Sequence, residues 1–341
     1  MPRGSCVFNF WTLKKMNKII CGDALSELKK IASETVDLII TSPPYFSQRK
    51  YQNISDPKEI GLESNISEYL ENIVAIFGEC VRICRDSGNI IFNIGDMYLD
   101  KNLQMVPFKF AHLALNNYLV KLVNTITWVK TNPTPRQYKK RLIPSTEPFF
   151  HFVKSDNYYY NLDSFLKKDT RVLSVKTNKK GEGYKKLIIN SSLFPAEKIN
   201  ALKDLEKVVE ELRMGKITDF RIKIRGVHKK AFGGKGGGRN SQIDKNGYTV
   251  IRMRGESLKR DVIECSVANS KNIDHIAIFP LTLIKELIHL LSKEGDVVLD
   301  PFCGSGTVCL AAKELNRNYI GIDLYKNYCE LAERRLKNNG S

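Results

Sequence analysis

The chain has no C-x-x-C pair: its eight cysteines, at 6, 21, 80, 84, 265, 303, 309 and 329, are scattered. Neither a zinc site nor a disulfide scaffold is indicated, so buried, reduced thiols in a cytoplasmic protein are expected. No apolar run approaches the ~20 residues of a membrane helix, and no stretch reads as a signal peptide. A Walker A motif is missing, because no Gly-Lys-Ser/Thr follows the required spacing. The dinucleotide fingerprint G-x-G-x-x-G is also unmet, since position 309 is Cys. Pro-Cys does not occur, which sets aside chemistry that needs a thiolate nucleophile in that dipeptide.

What is present begins with charge. The 341 residues carry a formal net charge of +17, placed unevenly. Between Lys154 and Arg260 stand 26 Lys and Arg against 12 Asp and Glu, a net of +14 that leaves +3 for all the rest. Such a block reads as a polyanion-facing module attached to a more neutral body. A solubilising surface would look the same in composition.

The first segment alternates strand and helix patterns. Lys18–Cys21 and Val36–Thr41 read as strands around a helix over Ala24–Ile31. Apolar residues at helical spacing span Glu68–Cys84, and further strands are predicted at Asn89–Ile94 and Asn124–Trp128, with a helix near Phe108–Asn116 between them. Residues 155–270 break the rhythm with a charged helix over Glu197–Met214 and the glycine-rich run FGGKGGGR at 232–239, which reads as a loop. The alternation returns with a helix at Ile284–Leu291, a strand at Val297–Leu299, a helix at Val308–Glu314, a strand at Tyr319–Ile322 and a closing helix at Tyr328–Leu336. The fold class expected is α/β, doubly wound, with a mostly parallel sheet. Three regions follow: a catalytic half at 16–154, an inserted basic region at 155–270, and a cofactor-binding half at 271–337. Met1 to Ser5 read as an appended leader.

Two motifs carry chemistry. Asp296–Thr307 reads DVVLDPFCGSGT, a buried strand ending at Asp300 and then a Gly-x-Gly turn into a helix. Gly304 and Gly306 would let a ligand lie against the backbone. The strand YIGID ends at Asp323, a carboxylate placed to accept from ribose hydroxyls. A phosphate-poor, acidic rim suits a cationic sulfonium better than a pyrophosphate, so S-adenosylmethionine is the expected cofactor, leaving as S-adenosylhomocysteine, with no metal. Val36–Phe46 reads VDLIITSPPYF, a buried strand that stops at Thr41-Ser42-Pro43-Pro44-Tyr45. The two prolines fix the backbone and lack N–H groups, so the loop can present a rigid set of acceptors. The Ser42 hydroxyl and Pro43 carbonyl would hold the two N–H groups of an exocyclic amine. Tyr45 offers a ring for an extruded base.

These motifs resemble the S-adenosylmethionine-dependent amino-methyltransferases of DNA in their circularly permuted β arrangement, with T-S-P-P-Y first and D-P-F-C-G-S-G-T last. Gly22-Asp23, the W-x-K-x-N-P run at Trp128–Pro133, and Phe279-Pro280 fit the same family. The resemblance covers residues 16–154 and 272–337, not the basic middle. It implies Asp23, Thr41, Phe279, Pro280, Asp300, Phe302, Gly304, Ser305, Gly306, Thr307 and Asp323 around the cofactor, and Ser42, Pro43, Pro44 and Tyr45 at the target amine. Ser42 in place of Asp resembles the cytosine-N4 branch, which is favoured over adenine N6. An RNA or protein methyltransferase, or a DNA-binding protein without activity, are the competing classes. Duplex DNA is the expected partner, met by Lys229, Lys230, Lys235, Arg239, Arg252 and Arg254, and no membrane is involved. The resemblance also implies a restriction-modification setting. It leaves open a homodimer and a cognate restriction endonuclease that does not touch this chain.

Overall fold

The computed structural model describes residues 16–47, 58–133, 140–161, 166–168, 177–214, 216–217, 219–228, 239–253, 256–258, 260–267 and 279–338. The chain divides into two compact units, Met1–Phe165 with Arg260–Ser341, and Leu166–Lys259. In chain order the first unit opens with β1 (Lys18–Cys21), α1 (Ala24–Leu28), β2 (Val36–Thr41), α2 (Ile66–Ile83), β3 (Cys84–Asn93), β4 (Tyr98–Leu99), β5 (Asn102–Leu103), α3 (Val106–Asn117), β6 (Lys121–Lys130) and β7 (Thr146–Val153). The second unit holds β8 (Leu166–Lys168), α4 (Thr177–Ile189), α5 (Pro195–Arg213), β9 (Asp219–Ile224), α6 (Arg239–Asn246), β10 (Tyr248–Met253) and β11 (Glu256–Leu258). The first unit then resumes with β12 (Val262–Cys265), α7 (Leu281–Leu291), β13 (Val297–Asp300), α8 (Thr307–Glu314), β14 (Asn318–Asp323) and α9 (Lys326–Asn338).

The main sheet runs β1-β14-β13-β2-β3-β7-β6-β12. Its first five strands are mutually parallel, β7 lies antiparallel between β3 and β6, and β12 pairs parallel with β6. The α/β expectation holds. The predicted helix over Ala24–Ile31 ends at Leu28, where the chain turns toward β2. Strand β7 opens with Thr146-Glu147-Pro148 and continues as FFHFV, a run whose burial on both faces hides its period.

Strand β2 divides the core, with a register shift between Val36 and Leu38 that interrupts simple alternation. Val36 and Ile39 face a cluster with α1, α2 and α3, whereas Leu38 and Ile40 face a second cluster with α7 and α8. Helix α2 begins at Asn65, whose side chain caps the Glu68 N–H at 3.0 Å. It buries Tyr69, Ile73, Phe77 and Cys80 on one stripe. Each large apolar side chain so buried contributes roughly 1.5–3 kcal/mol. Covering both faces of β2, β13 and β14 leaves their carboxyl ends, the usual ligand side of such sheets, to carry the polar groups.

In the second unit, β9 and β10 form an antiparallel pair packed on α5, with Phe220, Ile222 and Ile224 buried against Ala201, Leu205 and Val208. Tyr248 Oη donates to Asp204 Oδ2 at 2.7 Å and Arg225 pairs with Glu197 at 2.7 Å, fixing helix to strands.

Candidate active site

Three neighbouring strands end in the residues singled out by the sequence: β2 at Thr41, β13 at Asp300 and β14 at Asp323. Thr41 Oγ1 donates to Asp300 Oδ1 at 2.7 Å, and the same oxygen accepts the Phe302 N–H at 3.0 Å. Asp300 is 3% exposed. Burial pushes its carboxyl up to about 7; the hydrogen bonds from Thr41 and Phe302 pull the other way, and the Asp323 charge adds to the rise. Burial likewise raises Asp323, opposed by the N–H groups of Tyr325 and Gly304. Asp323 Oδ2 accepts from Gly304 N at 2.8 Å and Oδ1 from Tyr325 N at 3.0 Å. The carboxylate therefore clamps the glycine turn.

Gly306 takes φ +76° as the residue before α8, and an added Cβ would lie 2.8 Å from the Ala332 Cβ. Ser305 and Thr307 are tied inward: Arg335 Nη1 donates to the Ser305 carbonyl at 2.5 Å, its Oγ at 2.8 Å and the Thr307 Oγ1 at 3.3 Å. Arg335 has no signal in the sequence motif, since it lies 28 residues beyond Thr307. Asp23 caps α1, accepting from Ser26 N at 2.9 Å, while the adjacent Gly22 N–H bonds the Asp323 carbonyl at 2.8 Å. Phe279 packs its ring 5.6 Å from Phe149 on the second core cluster, and Pro280 is the N-cap residue of α7. Among the described residues no Lys or Arg pairs with Asp300 or Asp323. A buried carboxylate and a partly buried one, neither with a side-chain counter-ion among the described residues, fit a ligand that brings positive charge.

Tyr45, within the proline loop, is anchored through its hydroxyl, which donates to Asn93 Oδ1 at 2.8 Å or to Glu147 Oε2 at 3.2 Å. Ser42 Oγ donates to Tyr45 Oη at 3.1 Å. Tyr69 Oη holds the Pro44 carbonyl at 3.0 Å. Gly95 presses on the Tyr45 ring, where a Cβ would approach Cε2 within 2.3 Å. Neither Asn93 nor Glu147 belongs to the two motifs. Their signal in sequence is a polar residue closing the apolar run NIIFN, and a carboxylate opening another at Glu147.

Of the basic residues expected on DNA, Lys229, Lys230, Lys235 and Arg254 lie outside the described residues, as does the side chain of Arg239. Arg252 is engaged in the second unit, its Nε donating to Glu211 Oε2 at 2.6 Å and its second nitrogen to Oε1 at 3.3 Å. This fork lowers the Glu211 carboxyl and raises the Arg252 guanidinium.

The chain is 28% identical to the type II methyltransferase M.Cfr9I of Citrobacter freundii, over 93% of this chain and 86% of that one. It is 26% identical to the type II methyltransferase M.SmaI of Serratia marcescens, over 94% and 90%. Among solved structures, the PvuII DNA methyltransferase (cytosine-N4-specific) superposes with a TM-score of 0.58 at 14% identity, covering 95% of this chain and 87% of that one. The M1.HpyAVI–SAM complex gives 0.50 at 20% identity, covering 94% and 98%. The model of the N6/N4 DNA methylase family matches residues 36–334. With its strand ends, glycine turn and proline loop gathered inside that span, the chain belongs to the N6/N4 DNA methylase family.

Proposed function

We propose that this chain methylates the exocyclic N4 amine of cytosine in duplex DNA, as the modifying partner in a restriction-modification setting. The observation that carries the reading is the Thr41–Asp300 hydrogen bond of 2.7 Å, which fastens the Ser42-Pro43-Pro44-Tyr45 loop to the strand leading into the Gly304–Gly306 turn. Acceptors for an amine thus sit on a loop joined to strand ends whose carboxylates suit a cation. S-adenosylmethionine supplies an electrophilic methyl group on a sulfonium. The glycine turn, Phe302 and Asp323 would hold it, and Asp323, which already accepts from the Gly304 and Tyr325 N–H groups, would accept from the ribose hydroxyls. Asp23, Phe279 and Pro280 complete this role assignment.

Ser42 and the Pro43 carbonyl accept from the amine N–H groups and draw its lone pair out of conjugation with the ring. Preorganised acceptors need no reorientation during reaction, which is where such a site gains rate. Ser42, rather than an acidic residue, supports cytosine over adenine, as does the specificity named for the PvuII enzyme. Residues 166–259 serve as the target-recognition unit, their lysines and arginines neutralising phosphates. Transfer of labelled methyl groups to duplex DNA by the wild-type chain, lost in Ser42→Ala with cofactor binding intact, is the expected result. Labelling of tRNA alone would overturn the DNA assignment.

A further inference from the structure

Ser42 and Tyr45 belong to a hydrogen-bond chain with a fixed direction. Asn93 Oδ1 and Glu147 Oε2 can only accept, so the single Tyr45 hydroxyl proton points to one of them. The Asn93 amide cannot be turned over, because its Nδ2 donates to the Pro148 carbonyl at 2.9 Å. With its own proton so committed, Tyr45 Oη receives the proton of Ser42 at 3.1 Å. Ser42 consequently shows the substrate lone pairs and no proton. At the far end, Glu147 is ion-paired to Lys130, whose ammonium lies 4.9 Å from the Trp128 ring centroid. The Glu147 side chain is 16% exposed and that of Lys130 is 21% exposed, so the chain starts at the loop and finishes within reach of water.

The reaction needs such an exit. Once the lone pair of an aromatic amine has formed a bond to carbon it no longer enters the ring, and the resulting cation is a strong acid. Resting on the amine-methylation reading above, we propose that Glu147 is the terminal proton acceptor of the reaction, reached through Ser42 and Tyr45. As the N–C bond forms and the methyl–sulfur bond breaks, one N–H bond of the amine gives its proton to Ser42 Oγ. The Ser42 proton passes to Tyr45 Oη, and the Tyr45 proton to Glu147 Oε2. The N–H electron pair stays on nitrogen. The products are a neutral methylamine, a neutral thioether, unchanged Ser42 and Tyr45, and a protonated Glu147 that releases its proton to solvent. Asn93 holds the Tyr45 hydroxyl at rest, and a turn about its C–O bond redirects the proton to Glu147.

Single-turnover methyl transfer from a preformed complex with duplex DNA tests this in Glu147→Gln, Tyr45→Phe and the double variant. Each single change is expected to slow transfer on the order of 10²-fold, the usual worth of a positioned proton acceptor. Cofactor and DNA affinities stay at wild-type values, and Glu147→Asp recovers part of the rate. The double variant is no slower than the singles, because the two residues act in series. Wild-type single-turnover rate in Glu147→Gln, or losses that multiply in the double variant, would overturn the relay. Tyr45→Phe removes one oxygen alone and keeps the test decisive if Glu147→Gln does not fold. Ser42→Ala separates the two readings: inactivity there with wild-type rates at 45 and 147 sinks only the relay, whereas full activity there sinks the amine site itself.

Discussion

Thr41 and Asp300, 259 positions apart, share a 2.7 Å hydrogen bond between buried side chains at the ends of adjacent parallel strands. It joins the Ser42-Pro43-Pro44-Tyr45 loop to the strand that leads into the Gly304–Gly306 turn. In a sheet whose core is closed on both faces, this polar contact sets how far the two motifs stand from each other.

The same carboxyl makes stability depend on pH. Burial lifts Asp300 from 3.8 to about 7 in the folded chain, so folding favours its protonated form. Stability from this group is therefore complete below 3.8 and lost as pH rises through about 7, falling by at most about 1.4 kcal/mol for each step of one in pH between those two values. Thermal unfolding of the ligand-free chain should show stability declining across that window, and Asp300→Asn should remove this part of the slope. An identical slope in wild type and Asp300→Asn would contradict the assignment.

Asp323→Ala should weaken cofactor binding twice over. It frees the Gly304 and Tyr325 N–H groups, each in a charge-assisted bond worth roughly 1.5–3 kcal/mol, and removes the acceptor for ribose. Titration calorimetry should show affinity reduced at least about tenfold, one factor of ten being about 1.4 kcal/mol. Unchanged affinity would take Asp323 out of the site.

A single methyl group at position 95 should separate binding from chemistry. In Gly95→Ala the new Cβ lies 2.3 Å from Tyr45 Cε2, so the ring must move and Tyr45 Oη leaves Asn93 and Glu147. Turnover should fall steeply while cofactor affinity is retained. Wild-type turnover in this variant would show that Tyr45 does not need its observed position.

Much of the site is legible in the sequence because its motifs are contiguous: a strand end followed by Ser-Pro-Pro-Tyr, and a strand end followed by Gly-x-Gly, each have a local cause. Asn93, Glu147 and Arg335 are not. Asn93 and Glu147 reach Tyr45 only because β7 inserts antiparallel beside β3, a pairing between segments over 50 residues apart that no local pattern encodes. Strand β12 is hidden for a similar reason: four residues at the sheet edge, VIEC, find their partner in β6 more than 130 positions earlier. Arg252 is expected on DNA from the sequence; within the second unit its Nε and one terminal nitrogen bond Glu211 on α5, a pairing that no local pattern encodes.

The basic unit makes a salt-dependent prediction. Reversing Lys229 and Lys230 to Glu should weaken binding to every duplex and flatten the plot of log affinity against log salt, by about 0.9 for each phosphate that is no longer neutralised. The methylated sequence should stay the same. An unaltered slope would place both lysines away from DNA.

The most direct measurement digests DNA methylated by this chain with labelled cofactor and separates the nucleosides. The account predicts label in N4-methylcytosine, abolished by Ser42→Ala. Label in N6-methyladenine would contradict the choice of base, and label at carbon 5 of cytosine would contradict the amine mechanism altogether.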